Sequence, residues 1–420
     1  MDIRNIELFR NKQLLALGIT VMVFNLSYSV LVPIIPIFFQ GVGIDTLVVG
    51  YIISAYAISK CLAQIPSGVI VDFIGDKKVL VYGLLLIGLL LTVYTVTDNP
   101  SVIILVYVLE GMVAGMAFPA LYSVLSRIIT KESRGQAMGS YTALSALGFG
   151  LGPLISGVVI DRFNDVNNVF YIAAIGAFVA CIMVIFLIKP IKGNNINIVD
   201  KGSVKRGRGS LYIKNIVSEK LHMKIIMLGS IALLGDFIYG SMASVLPFYG
   251  VKVLGTSIGF TAYIISMNFL IFSCASPIAG IICDKIGAKK QIIISLICIV
   301  VVFFIVSFIR NRMVFAVVIG VESFAGACMF SALQSILAEY GGQSKVKGIM
   351  YGAVGTFQSI GLALGPIFSS TVFYYYEELL FVGLSGAALI VLGVFVYINV
   401  YQSKKEKLSN KMLYNTKVNM

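Results

Sequence analysis

The chain has 420 residues, 58% of them hydrophobic and 12% charged, with a mean hydropathy of +0.96. Soluble globular chains carry roughly a quarter charged residues, so this composition excludes a soluble domain. The formal charge of +13 could suit a nucleic-acid surface by size alone, but its confinement to alternate loops argues against one.

Twelve apolar runs approach or exceed the roughly 20 residues needed to cross a bilayer. In chain order they are 13–39, 46–72, 78–97, 101–129, 135–160, 168–188, 223–249, 256–283, 290–309, 313–340, 347–372 and 379–401. The long polar stretch between the sixth and seventh is rich in Lys, Arg, Gly and Asn. The expected organisation is a six-helix bundle at 1–188, a cytoplasmic linker at 189–222, a second bundle at 223–401 and a basic tail at 402–420, solvated or resting on anionic headgroups. With a cytoplasmic amino terminus, nearly all of the 32 Lys and Arg fall on the cytoplasmic side. Arg162, Lys252, Arg310 and Arg312 lie outside, and Lys60 falls within a span. That asymmetry places both termini in the cytoplasm of a cell (inner or plasma) membrane protein. No cleavable signal is expected, because charges run to Lys12 and the apolar run that follows is too long for a signal core.

The halves repeat. Gly139–Gly157 reads GSYTALSALGFGLGPLISG, and Gly352–Ser370 reads GAVGTFQSIGLALGPIFSS. Ser145, Gly148, Gly152 and Ser156 share one helical face, and Gly139, Gly150 and Gly157 a second. Lipid supplies little hydrophobic drive for helix association, so such small faces matter by letting backbones approach closely. Pro153, like Pro366 in the second copy, removes a backbone donor and invites a bend. Gly361 and Gly365 stand where the first copy has Gly148 and Gly152. Gly68–Lys78, GVIVDFIGDKK, returns 212 positions later as Gly280–Lys290, GIICDKIGAKK. Glu110 maps onto Glu322, and Asn25, Tyr28 and Pro36 map onto Asp236, Tyr239 and Pro247. The expected fold is all-α and polytopic, with twelve transmembrane helices in two pseudo-symmetric six-helix bundles.

On these residues the chain resembles a major facilitator superfamily transporter over nearly its whole length, and within it the twelve-span drug–proton antiporters. Gly-x-x-x-Asp-x-x-Gly-x-Lys-Lys, at Gly68, Asp72, Gly75, Lys77 and Lys78 and again at Gly280, Asp284, Gly287, Lys289 and Lys290, is similar to that superfamily's loop motif. The Gly139–Gly157 pattern is similar to the span-five motif of its exporters, with Ser156 replacing a glycine. The resemblance implies two bundles rocking about a midplane cavity, lined by spans one, four, seven and ten. It also implies that Asp72 faces the start of span eleven near Lys347, and Asp284 the start of span five near Arg134, as a cytoplasmic gate. Alternatively, the loop lysines only fix topology. One position departs from the pattern: Tyr107 stands where proton-coupled relatives carry an arginine.

Ionisable residues inside spans point to function, because burying an unpaired charge is costly. At ~1.5 Å per residue, Glu110, Glu322, Asp236 and Lys60 each lie roughly 14–20 Å into their spans, near mid-membrane. A carboxyl in a low-dielectric cavity can exchange a proton near neutral pH, which coupling of export to proton entry requires. Asp236 is the first candidate, since its repeat mate Asn25 cannot titrate; Glu322 and Glu110 follow. Lys60 either replaces the missing span-four cation or forms a structural pair with Glu110. Tyr28, Tyr56, Gln64, Tyr239, Asn268, Gln334 and Gln358 are candidate cavity walls that would suit an amphipathic organic cation, although each singly would serve as packing.

The six cysteines fall in apolar spans without metal-like spacing, as small packing residues. His222 is an incidental polar residue at the end of the linker. Trp is absent, so Tyr94, Tyr171 and Tyr374 to Tyr376 are expected at the interfaces. No metal site, cofactor site or nucleophile constellation is evident, and no Gly-x-x-x-x-Gly-Lys-Ser/Thr sequence occurs, so neither an enzyme nor an ATP-driven pump is expected. The expectation is a monomeric secondary multidrug exporter in the lipid bilayer, coupling a small-molecule substrate to protons by alternating access, with no nucleic-acid partner. A dedicated exporter of one metabolite or siderophore-like chelator, or a proton-coupled nutrient importer, is the alternative. A lipid flippase or a membrane sensor ranks behind these.

Overall fold

The computed structural model describes residues 10–128, 134–163, 165–189, 219–342 and 347–418. Nearly all of the expected linker, 189–222, lies outside them, as does the side chain of His222. Every regular element described is helical. Among the described residues, nine helices are long and apolar enough to cross a membrane by length and composition alone. The other three spans carry polar residues that dilute that signal. The third, Asp76–Val93, opens on Asp76, Lys77 and Lys78, and the eleventh, Lys347–Tyr375, is rich in Gly and Ser. The first differs from the continuous helix expected at 13–39.

That first span begins with Asn11, whose side chain accepts from Gln13 N and Leu14 N at 3.1 and 3.2 Å. It runs as helix over Lys12–Ser29, loosens into turns, and resumes over Ile35–Gly41. Pro33 and Pro36 remove two backbone donors within one turn, which a single helix cannot absorb. The seventh span, Glu219–Lys252, keeps only the equivalent Pro247, with Ser244 where Pro33 would fall, and it stays continuous.

The second span, Thr46–Ile74, is capped by Asp45, which accepts from Leu47 N at 2.8 Å. The eighth, Ile258–Ile286, is capped by Ser257, which accepts from Phe260 N at 3.1 Å. Each ends on a glycine in nearly the same conformation, Gly75 at φ 94 and ψ 138 and Gly287 at φ 87 and ψ 139. L side chains avoid this backbone region, so the loop-motif glycine is required by the turn itself.

Packing follows one rule twice. The first span packs on the fifth (Arg134–Phe163) and sixth (Asn167–Leu187), as the seventh packs on the eleventh and twelfth (Leu380–Val418). The fourth (Pro100–Ile128) packs on the second and third, as the tenth (Arg312–Gly342) packs on the eighth and ninth (Ala288–Val306). The halves meet where the fifth lies on the eighth and the eleventh on the second. Exchanging the halves leaves this list unchanged, so the architecture is two pseudo-symmetric six-helix bundles.

The small faces make these contacts. A Cβ on Gly148 would strike the Met22 carbonyl, and one on Gly152 would come within 2.7 Å of the Leu26 carbonyl. In the other half Gly361 and Gly365 sit as tightly on Leu233 and Phe237. The second face of span five meets the other bundle, with Gly150 against Leu270 and Gly157 against Tyr263. Serine hydroxyls stitch the same seams: Ser29 donates to Gly148 O at 3.2 Å, Ser241 to Gly365 O at 3.0 Å, and Ser266 across the halves to Gly150 O at 2.6 Å. The helices of spans five and eleven run on through Pro153 and Pro366. The surroundings of Gly68, Gly139 and Gly352 lie outside the described residues.

Candidate transport site

Lys60, on the second span, and Asp236, on the seventh, come from different halves and act on each other electrostatically. Gln358, on the eleventh span, donates its amide to the Asp236 carboxylate. Three spans therefore converge on one part-buried carboxylate, with a cation on one side and an amide on the other. Tyr239, one turn beyond Asp236, also feels that carboxylate, and its ring lies 6.0 Å from Phe269.

From Tyr239 a tyrosine layer leads into the amino-terminal bundle. Tyr239 acts electrostatically on Tyr56 and Tyr107, whose own rings lie 4.9 Å apart. Tyr28 lies 6.3 Å from Tyr56, with their hydroxyls hydrogen-bonded. Behind this layer Glu110 is 1% exposed and accepts from the Tyr94 hydroxyl at 3.2 Å. Phe38 and Phe170 close over Tyr94 with ring centroids at 5.9 and 4.9 Å. Tyr94, expected at the interface, is instead fully buried as the partner of Glu110, whereas Tyr171 and Tyr374 to Tyr376 are exposed.

Several expected residues stand elsewhere. Lys60 acts electrostatically on Asp236, whereas Glu110 accepts from Tyr94 at the end of the third span. Asn25 is buried, its amide donating to Ser145 O at 3.2 Å and Ser145 Oγ at 2.7 Å. This pair is the repeat image of Asp236 and Gln358, so one inter-helix contact is neutral in one half and ionisable in the other. Glu322 lies apart from the Lys60–Asp236 group, beside Cys298 of the ninth span and Phe272 of the eighth. Gln334 is exposed on the tenth span. Asn268 is part-buried with its Oδ1 unsatisfied.

The expected gate contacts involve Asp72, Arg134 and Lys347, whose side chains lie outside the described residues. Asp284, Lys78, Lys289 and Lys290 are exposed. Lys77 donates to Ile185 O at 2.8 Å, tying the loop to the sixth span. A residue that sequence reasoning missed is Asp76, which is buried and accepts from Ser123 Oγ at 3.2 Å and Lys77 N at 2.8 Å. Its signal was an acid directly after the turn glycine, where the second copy has Ala288. Of the cysteines, Cys181, Cys283 and Cys328 are buried and Cys274 is exposed. Among the described residues no cluster could hold a metal. A separate cavity of about 400 Å³ lies at the end of the bundle away from the termini, lined by Gln40 and Thr46 of one half and Phe248, Lys252 and Tyr374 of the other. It does not include Asp236.

The sequence pattern of the Major Facilitator Superfamily matches residues 17–366 and, in a second overlapping match, 256–413. An uncharacterized MFS-type transporter of Methanocaldococcus jannaschii is 23% identical over 93% of this chain and 98% of its own. Multidrug resistance protein 2 of Bacillus subtilis is 22% identical over 84% of this chain and 86% of its own. Quinolone resistance protein NorA of Staphylococcus aureus is 28% identical over 42% of this chain and 45% of its own, so that match spans less than half of either protein. Among solved structures, the nucleoside transporter NupG superposes with a TM-score of 0.68 at 14% identity, covering 92% of this chain and 98% of its own. The human organic anion transporter MFSD10 (TETRAN) superposes with a TM-score of 0.64 at 15% identity, covering 91% and 99%. At such identities these two likenesses concern the fold alone.

Proposed function

The chain belongs to the Major Facilitator Superfamily, a family of membrane transporters and not of enzymes, and on that premise we propose that it exports small amphipathic cations in exchange for protons. The carrying observation is the electrostatic coupling of Lys60 and Asp236 across the two halves within the spans. A carboxylate held by a lysine of the opposite bundle ties the bundles together. A proton on Asp236 removes the attraction, and a cationic substrate competes with both Lys60 and the proton for the same two oxygens. Proton and substrate then occupy Asp236 in turn, which is what exchange requires.

The tyrosines beside Asp236 supply flat apolar surface with hydroxyl edges, suited to an amphipathic cation. The drug-resistance names of two relatives favour efflux over uptake. The charge asymmetry of the loops supports a topology with both termini in the cytoplasm. The working unit is a monomer in the bilayer, without a cofactor or nucleic-acid partner.

Everted membrane vesicles loaded with a pH-sensitive dye test the reading. A lipophilic cation such as ethidium should collapse a preformed proton gradient through the wild type and not through D236N. A gradient indifferent to a panel of amphipathic cations would overturn proton exchange, and a response to neutral or anionic compounds alone would overturn the substrate class.

A further inference from the structure

The eighth and tenth spans do not repeat the close contact between the second and fourth. In the amino-terminal half Ser59 donates to Val108 O at 3.0 Å. A Cβ on Gly111 would come within 2.6 Å of the Tyr56 carbonyl, and one on Gly115 would strike that of Lys60. The positions equivalent to Ser59 and Val108 are Ile271 and Gly320. A Cβ on Gly320 would meet only side-chain ends, Ile271 Cδ1 at 3.0 Å and Met267 Cε at 3.6 Å. Two long side chains thus hold the helices apart where the other half joins a hydroxyl to a carbonyl.

An open groove of about 380 Å³ runs between these helices, lined by Met267 and Ile271 of the eighth span and Val317, Gly320, Val321 and Phe324 of the tenth. Every wall is apolar, and Val317, Val321 and Phe324 are exposed. The groove has room for roughly a dozen groups the size of a water molecule. Left empty, its walls would forgo dispersion contacts, and within a membrane-spanning segment an acyl chain supplies them.

The mouth of the groove carries a charge. The stretch Val317 to Phe324 covers about 10 Å of helix, and Arg312 stands about 8 Å nearer the end of the bundle away from the termini. Arg312 is exposed, and its guanidinium carbon lies 5.6 Å from the ring centroid of Phe260, two turns above Met267 on the eighth span. Stacking occupies the face of the guanidinium and leaves the N–H groups at its edge to bind a phosphate. The other two cations at this end of the carboxy-terminal half are taken, Lys252 by Glu377 and Arg310 by Glu378 at 3.2 Å. Arg312 has no carboxylate partner among the described residues. The amino-terminal half again differs, with Pro100 and Val48 in place of Arg312 and Phe260.

We propose that this groove binds an anionic phospholipid of the leaflet at that end, with its phosphate on Arg312 and one acyl chain lying against Met267, Ile271 and Gly320. A zwitterionic lipid has the same phosphate, but its own ammonium competes with Arg312, so the site prefers a net negative headgroup. The polar transport group around Asp236 takes no part.

Because the chain has no Trp, a single introduced Trp reports lipid contact. F324W puts it in the groove wall, and M112W puts it at the equivalent exposed position of the fourth span. The full chain is reconstituted in phosphatidylcholine vesicles, and quenching by phosphatidylglycerol brominated in its acyl chains is compared with quenching by phosphatidylcholine brominated likewise. At F324W the anionic lipid should bind at least threefold more strongly than the neutral one, and at M112W the two should bind about equally. Adding R312Q or G320L to F324W should abolish the preference, the first by removing the headgroup partner and the second by filling the groove. R312Q carries the test alone if G320L does not fold, since Arg312 is exposed. Equal binding of the two lipids at F324W, the same preference at M112W, or a preference that survives R312Q would overturn the proposal. So would relief of F324W quenching by ethidium, which would make the groove a path for a transported cation.

Discussion

The Lys60–Asp236 contact can be weighed by a double-variant cycle. Lys60→Met keeps the aliphatic stem but removes the ammonium, leaving the Asp236 carboxylate with the Gln358 amide. Stranding one member of a fully buried ion pair costs ~3–5 kcal/mol. Both residues here are only part-buried. Screening reduces the expected loss to about 1–3 kcal/mol for Lys60→Met, and to that range or less for Asp236→Asn. The double variant removes both charges, so it should be more stable than the sum of the single losses predicts, by about 1–2 kcal/mol. Thermal unfolding of the purified full chain at low salt reads this out. With a midpoint shift of about 2 °C per kcal/mol in a chain this large, each single variant should melt about 2–6 °C below the wild type. Single losses that add to within ~0.5 kcal/mol in the double variant would mean that the side chains do not interact. The account of the seam would then fail.

Further outcomes follow from the backbone contacts and from the repeat. Gly361→Ala would drive a methyl group into the Leu233 carbonyl and to 3.0 Å from Phe237 N. A loss of ~1–3 kcal/mol is expected in the same unfolding assay, whereas Gly355→Ala, which meets nothing within 4 Å, should be neutral or slightly stabilising. Gly75→Ala and Gly287→Ala should each cost ~1–3 kcal/mol through strain at φ 94 and φ 87, although neither Cβ would clash. Adding Asn25→Asp to Asp236→Asn should not restore cation-driven proton flux in everted vesicles. The repeat counterpart of Lys60 is Phe272, so the relocated carboxylate would lack its cation; full recovery would refute the role given to Lys60.

What was legible in the sequence were the features that depend on spacing along one helix. The two small faces of span five, the turns at Gly75 and Gly287, and the correspondence between the halves needed only periodicity. Features that depend on the rotation of one helix against another were not legible. Depth put Lys60, Glu110, Asp236 and Glu322 at one level, but depth does not say that Glu110 faces Tyr94 while Lys60 crosses to the other half. The break in the first span was missed because Pro36 has a tolerated mate in Pro247; only Pro33, which has none, makes the helix give way.

The backbone and the side chains obey different symmetries, and this bears on mechanism. The main inter-helix contacts are the same when the halves are exchanged. In the proposed alternating-access cycle, such a scaffold would close toward either end through equivalent contacts. Direction must then come from groups that break the symmetry. Those groups are concentrated at Asp236 against Asn25, Gln358 against Ser145 and Lys60 against Phe272. The carboxylate and its amide partner lie in the carboxy-terminal half, and Lys60 acts on that carboxylate from the other. Glu110, a carboxylate that the amino-terminal half buries well inside a span, is hydrogen-bonded and sealed behind aromatic rings. In the proposed exchange, then, the carboxy-terminal bundle handles the protons. The amino-terminal bundle contributes one cation and an aromatic wall, so neutralising Asp236 changes the attraction between the bundles without loosening either one.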